Sequence, residues 1–258
     1  MPKNLVSKKG YRGVNLFILA CSPYSSPYWL TYKQAVDLGG HVKRGSKSMP
    51  VIFWKMLDKT TTGSETNEKI PFLRYYSVFN SDQCENIKTP PTTVNSNPFS
   101  PIERAEQIIA GMSLRPEIKH GGNQPKYIPS LDCVQLPEPS AFDTPDDYYD
   151  TLFHELGHST GHETRLKRKG ILEATHYGTY EYNKEELIAE MSAAFLCGHA
   201  GIVQKTIENN AAYIQGFLKL LKGDKTALVR AAAAAQKASD FIMNRKGGEE
   251  ELVEDQEA

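Results

Sequence analysis

Apolar and polar positions divide the 258-residue chain into two stretches of different rhythm. In the first, Thr31 with Gln34 three residues on is a capping box that opens a short helix, and Gly39 and Gly40 stop it. Residues 51–57 and 72–79 are rich in β-branched and aromatic side chains and predict two strands, joined by a polar loop over 58–69. Residues 80–98, rich in Pro, Thr and Asn, predict a connection between domains. Beyond it the period becomes helical. Ser100, Pro101 and Glu103 supply an N-cap, a first-turn proline and a capping acid, and Gly111 ends that helix. Residues 127–136 predict a strand pair about a turn at Pro129 and Ser130. Thr144 caps the next helix, which runs through His154 and His158 to a stop at Gly161. Further helices are expected over 183–198, 205–222 and 224–246, followed by a disordered acidic tail at 247–258.

Composition narrows the class. Hydrophobic residues at 40% and charged residues at 24% are enough for a packed core and exclude wholesale disorder. No apolar run approaches the roughly 18–20 residues of a membrane span. The first residues lack a signal-peptide pattern, since the short apolar stretch after Arg12 contains Asn15. Cys21, Cys84, Cys133 and Cys197 stand apart, with no C-x-x-C pair, and read as reduced thiols of a cytoplasmic protein. The net charge of −1 hides an asymmetry: residues 1–55 hold nine Lys or Arg and one acid, Asp37, whereas the last ten residues hold six acids. A polyanion-facing N-terminal part is the expectation.

The chemistry sits in His154-Glu155-Leu156-Gly157-His158, an H-E-x-x-H on an expected helix. At about 100° per residue, positions i and i+4 share a face, so both imidazoles reach one ion. Zinc there would lower the pKa of water to about 7, with Glu155 as the general base. Chance would produce this pattern in roughly one or two such chains per hundred. A catalytic metal needs a third protein ligand. His162 stands two residues short of the extended metalloprotease spacing, where Thr164 is found, and His176 is isolated in a polar stretch. Glu186 and Glu190, four apart on an apolar helix, are the better candidates, because buried carboxylates need a partner. Glu186 is assigned as the ligand and Glu190 as acceptor for a ligand histidine, with the reverse left open, as is a capping role for Glu186 opposite Asn183. One of Tyr177, Tyr180 and Tyr182 is a candidate oxyanion stabiliser.

The basic segment 1–55 also carries Tyr11, Phe17, Tyr24, Tyr28, Trp29, Tyr32, Phe53 and Trp54. Cations interleaved with flat rings suit single-stranded nucleic acid, and the loop 41–47 is the expected phosphate contact. A small core filled by the same rings is an equal reading of composition alone.

These residues carry a family resemblance. Tyr11-Arg12-Gly13-Val14-Asn15, the stretch from Trp29 through Gly39-Gly40-His41-Val42-Lys43-Arg44-Gly45, and Val78-Phe79-Asn80 resemble the N-terminal single-stranded-DNA-binding domain of ArdC-type antirestriction proteins. The stretch from His154 to His162, Arg165-Leu166 and the segment from Glu185 to Glu190 resemble that family's zincin-like metallopeptidase domain. The resemblance covers nearly the whole chain. It implies an α+β protein: a small mixed α/β DNA-binding domain at 1–95, then a mainly helical zincin-like domain with a small sheet at 99–246. The family usually has more than ten residues before the tyrosine, so a shortened N-terminal domain is expected. The implied function is that of an antirestriction factor from a plasmid, conjugative element or phage. It would bind single-stranded DNA through Tyr11, Arg12, Trp29, Lys33, Lys43, Arg44 and Lys47. It would hold Zn2+, or another divalent ion such as Mn2+, on His154, His158 and Glu186, and a restriction-system or other DNA-associated protein would be its substrate. Rival readings are a non-catalytic DNA-coating protein with a structural metal, a DNA mimic, which the basic N-terminal segment disfavours, and a protease toxin.

Overall fold

The computed structural model describes residues 1–59, 68–90, 101–173, 179–202, 224 and 226–245. The chain forms two compact units, one built on Met1–Asn95 and the other on Ser96–Gly247. The acidic tail and the helix expected over 205–222 lie outside the described residues.

The N-terminal unit contains, in chain order, β1 (Lys3–Asn4), α1 (Gly13–Ala20), β2 (Tyr28–Thr31), α2 (Tyr32–Asp37), β3 (His41–Val42), β4 (Met49–Lys59), β5 (Glu68–Asn80) and β6 (Cys84–Glu85). Four strands make one sheet in the order β1-β2-β5-β4, and β3 pairs with β6. β1 runs parallel to β2, and the β2–β5 and β4–β5 pairs are antiparallel. The long hairpin corresponds to the two expected strands, each extended by several residues. The capping box is present: Gln34 N–H donates to Thr31 Oγ1 at 3.2 Å and Thr31 N–H to Gln34 Oε1 at 2.9 Å.

Both faces of this sheet are covered, which explains the unbroken apolar run in β2. Tyr28 and Leu30 pack with Leu5 and Ala35 on the α2 side, and Trp29 packs with Leu19, Val51 and Val78 on the α1 side. α1 has no counterpart among the expected elements, because its residues are apolar nearly all round and show no amphipathic period. Its fully buried Asn15 replaces a strand: Asn15 Nδ2 donates to the Ile52 carbonyl at 2.7 Å, and Ile52 N–H donates to Asn15 Oδ1 at 2.6 Å. The open edge of β4 is thereby partly satisfied.

The C-terminal unit contains α3 (Pro101–Gly111), β7 (Glu117–His120), β8 (Lys126–Ile128), β9 (Cys133–Leu136), α4 (Pro145–Ser159), α5 (Lys169–Leu172), α6 (Tyr180–Ala200) and α7 (Ala227–Ile242). The expected strand pair is β8 and β9, antiparallel, and β7 adds in parallel to β9. β7 was not legible, since Glu117-Ile118-Lys119-His120 offers one apolar residue in four. Thr144 caps α4 as expected, accepting from Asp147 N–H at 3.2 Å. α6 begins earlier than expected. Thr179 is its N-cap, so Asn183 is an interior residue and Glu186 has no capping role. The core joins Ile109, Leu136, Leu152, Phe153, Leu156 and Leu196 from α3, β9, α4 and α6.

Arg165 fastens the end of α4 to the sheet. Its side chain is 1% exposed and pairs with both carboxylate oxygens of Asp132, at 2.8 and 2.7 Å. It also donates to the carbonyls of Ser159, at 3.0 Å, and Leu114, at 2.7 Å. Cys21, Cys84, Cys133 and Cys197 are free thiols. Among the described residues no helix is long and apolar enough to cross a membrane.

Trp29 is corrected from a DNA contact to a core residue. It is 1% exposed, with Tyr24 edge-on at 5.8 Å, and has no face left for a base. Trp29→Ala is expected to destabilise the N-terminal unit by about 3–5 kcal/mol, read as a fall in the urea midpoint with an unchanged m-value.

Candidate metal centre

α4 and α6 carry the site, and their close approach makes it. Gly157 faces α6, and a Cβ there would sit 3.1 Å from Ala189 Cα and 3.3 Å from Ser192 Cβ. With only small groups at the crossing, the carboxylates of α6 reach the imidazoles of α4. The Nε2 atoms of His154 and His158 lie 3.1 Å apart. Glu186 Oε2 is 3.5 Å from His154 Nε2, and Glu186 Oε1 is 3.5 Å from His158 Nε2. A tetrahedral ion with bonds of about 2.0–2.1 Å spaces its ligands by about 3.3–3.4 Å, so this donor set fits a divalent metal. Among the described residues these three form the one group of histidine, cysteine and carboxylate ligand atoms converging within 4.8 Å.

The surrounding groups divide the work. Glu190 Oε2 lies 2.8 Å from His154 Nδ1, on the far side of that ring from Glu186. Such a contact fixes the tautomer that offers Nε2 to a metal. Glu155 is 6% exposed and accepts from the backbone N–H of Tyr127, in β8. Burial pushes its carboxyl up, against the lowering influence of both histidines. Burial would lower the His154 pKa, but hydrogen bonds to Glu186 and Glu190 prevail and raise it to about 10. Burial likewise opposes ionisation of Glu186, and its hydrogen bond to His154 and the charge of both rings hold its pKa below the ordinary value.

The group faces a cavity of about 720 Å³, whose lining includes Lys126, Tyr127, Asp150, Thr151, Glu173 and Tyr182. Of the three tyrosines considered as oxyanion donors, Tyr182 lines this cavity and its hydroxyl bonds Glu186. Tyr180 points its hydroxyl at Asp224, 3.2 Å away, and Tyr177 lies outside the described residues. His162 turns to Thr164, with its Nδ1 2.9 Å from Thr164 Oγ1, and is not among the converging ligands. His176 also falls outside the described residues. Glu185 and Arg168, which sequence reasoning passed over, join the centre: Glu185 Oε1 is 3.5 Å from His158 Nδ1 and 2.5 Å from Arg168 Nη2. The doubled glutamate at 185–186 was the only signal, because nothing local announces Arg168.

In the N-terminal unit, Lys33, Lys43, Arg44 and Lys47 are exposed. The three of the loop surround a cleft of about 470 Å³ with Tyr24 and Gln83. That loop is anchored: Lys43 N–H donates to the Gln83 carbonyl at 2.8 Å, and Gln83 Nε2 to the Lys47 carbonyl at 2.9 Å. Tyr11 is half-buried against the Trp29 cluster, and Arg12 is the N-cap residue of α1. Among the described residues of this unit, the rings open to solvent are instead Tyr32, 58% exposed, and Tyr75, 72% exposed.

A metal requires neutral imidazoles. With a His154 pKa near 10 against an ordinary 6.5, its proton stabilises the metal-free fold fully below pH 6.5, and that contribution is lost as pH rises through about 10. Metal uptake at pH 8 is therefore expected to release about one proton from this residue, and affinity to rise up to tenfold per pH unit towards pH 10. Calorimetry in buffers of different ionisation enthalpy measures both, and uptake without proton release would refute the charged imidazole.

Two family models match the chain: the N-terminal domain of anti-restriction factor ArdC over residues 1–79, and a zincin-like metallopeptidase over residues 103–234. An uncharacterised protein of Sinorhizobium fredii, y4eC, is 33% identical over 93% of this chain and 80% of its own. DNA primase TraC of Escherichia coli is 34% identical over 94% of this chain, which spans 24% of that protein's length. The metal-free crystal structure of the ArdC antirestriction protein from plasmid R388 superposes with a TM-score of 0.72 at 31% identity, covering 96% of this chain and 90% of that one. Its Mn(II)-bound structure gives 0.71 at the same identity, covering 95% and 88%. An ArdC N-terminal domain followed by a zincin-like metallopeptidase domain, matched along almost the full chain, places this protein in the ArdC antirestriction family.

Proposed function

We propose that this chain is a cytoplasmic antirestriction protein of a mobile genetic element. Its N-terminal unit grips single-stranded DNA, and its C-terminal unit hydrolyses a peptide bond in a DNA-associated protein such as a restriction subunit. The observation that carries the hydrolytic half is the convergence of His154, His158 and Glu186 beside a buried, proton-avid Glu155 at an open cavity. The Mn(II)-bound neighbour supports a divalent ion, Zn2+ or Mn2+, on these three side chains. When bound, such an ion supplies Lewis acidity that activates water and polarises a carbonyl. Glu155 then takes the proton from the attacking water and delivers it to the leaving amine, for which its raised pKa is suited. Glu190 keeps His154 in the tautomer that presents Nε2.

The DNA-binding half rests on the anchored loop carrying Lys43, Arg44 and Lys47, which offers three cations on a backbone already held in place. Tyr32 and Tyr75 are exposed rings on which bases would stack.

Two measurements test the halves separately. Glu155→Gln should keep metal affinity and lower peptide hydrolysis about 10²–10⁴-fold. Retained cleavage would overturn the general-base role, and undiminished DNA protection by an inactive variant would favour DNA coating. For the other half, a labelled single-stranded oligonucleotide should bind in preference to duplex, with log affinity falling by about 0.7 per neutralised phosphate against log salt. Replacing Lys43, Arg44 and Lys47 by Ala should flatten that slope by about 2. An unchanged slope removes the loop from the interface.

A further inference from the structure

The side of His158 away from the converging ligand atoms is organised by two residues with no part in metal ligation. His158 Nδ1 is buried and makes no hydrogen bond among the described residues, and the carboxylate oxygen facing it is Glu185 Oε1 at 3.5 Å. Glu185 is held in place from behind. Arg168 Nε donates to both its oxygens, at 3.1 and 2.9 Å, and Nη2 donates to Oε1 at 2.5 Å. The same guanidinium grips the end of α4 through the Gly157 carbonyl at 2.8 Å and Thr160 Oγ1 at 2.6 Å. Arg168 stands at the start of α5, whose Gly170 lets it lie against Glu185, since a Cβ at 170 would come within 2.8 Å of Glu185 Cβ.

We infer that Arg168 and Glu185 are positioning residues for His158: Arg168 aims the Glu185 carboxylate at Nδ1, which turns Nε2 towards the metal. The inference rests on His154, His158 and Glu186 being the metal ligands. Three features exceed what a plain structural ion pair requires. Glu185 takes three Arg168 contacts on its two oxygens, so its rotamer is fixed. Arg168 binds a carbonyl inside the H-E-x-x-H turn itself, so the carboxylate and the imidazole share one frame. His154 has the equivalent contact, Nδ1 to Glu190, so each ligand histidine faces its own α6 glutamate while Glu186 lies between them. A shift of a few tenths of an ångström would turn the 3.5 Å approach into a hydrogen bond.

The test uses the full chain and Mn2+, with free ion followed by its paramagnetic resonance signal, and Co2+ as the optical probe. The variants are Glu185→Gln, Arg168→Gln, Arg168→Lys and their pairings, with thermal midpoints taken on the metal-free proteins. Glu185→Gln should weaken Mn2+ binding about 10–100-fold and alter the Co2+ d–d bands. Arg168→Gln should do the same in the parent but add little on the Glu185→Gln background. Arg168→Lys, which keeps the charge but loses the fork, should fall between. If midpoints drop while Mn2+ affinity stays within twofold and the Co2+ bands are unchanged, the pair is structural only and the inference is overturned. His158→Ala separates the underlying reading: if it binds Mn2+ as tightly as the parent, the ligand assignment fails before the positioning question arises.

Discussion

The packing of α4 against α6 at Gly157 is the constraint from which the C-terminal unit follows. A Cβ at 157 would lie 3.1 Å from Ala189 Cα, tighter than ordinary packing, so the close crossing of the two helices favours small groups at the contact. That closeness brings Glu186 and Glu190 within reach of His154 and Glu185 within reach of His158. The motif's second variable position, Gly157, is therefore as much a part of the centre as its histidines. It contributes by what it leaves out.

The crossing also gathers four glutamates and two histidines in a mostly apolar interior, an arrangement that is costly unless every charge has a partner. The structure meets this by pairing. Glu190 takes one side of His154, Glu186 lies against both rings, and Glu185 is neutralised by Arg168. Glu155 is the exception. Its polar support is a backbone N–H and the nearby imidazoles, and burial prevails in raising its carboxyl, whereas partners hold Glu185 and Glu186 below the ordinary value. A carboxylate fully answered by a salt bridge would be a poor proton acceptor, so relative isolation marks Glu155 out from its neighbours.

In the N-terminal unit, the residues that carry the resemblance to ArdC proteins are mainly frame. Asn15 closes a sheet edge, Trp29 fills the core, and Asn80 caps the turn at 81–83 and donates to the Ser26 carbonyl. Gln83 carries that order to the basic loop through its bond to Lys47. The exposed cations and rings are attached to this frame and are not part of it.

The sequence by itself determined the elements whose signals are local. The caps at Thr31 and Thr144, the hairpin and the H-E-x-x-H face all follow from spacing along one strand or one helix turn, and the structure contains each of them. It did not determine α1 or β7, whose residues are nearly all apolar or mostly polar and show no period, nor the start of α6, where Thr179 outcompeted Asn183 as cap. Whether the aromatic residues stack on a ligand or fill a core was also undecided, because composition is blind to which face is covered. Only the tertiary structure settled Trp29 inside and Tyr75 outside. It alone brought Arg168, from a separate short helix, onto Glu185. The reason is physical: periodicity records which residues share a surface of one element, whereas the partner of a buried charge is set by how separate elements pack.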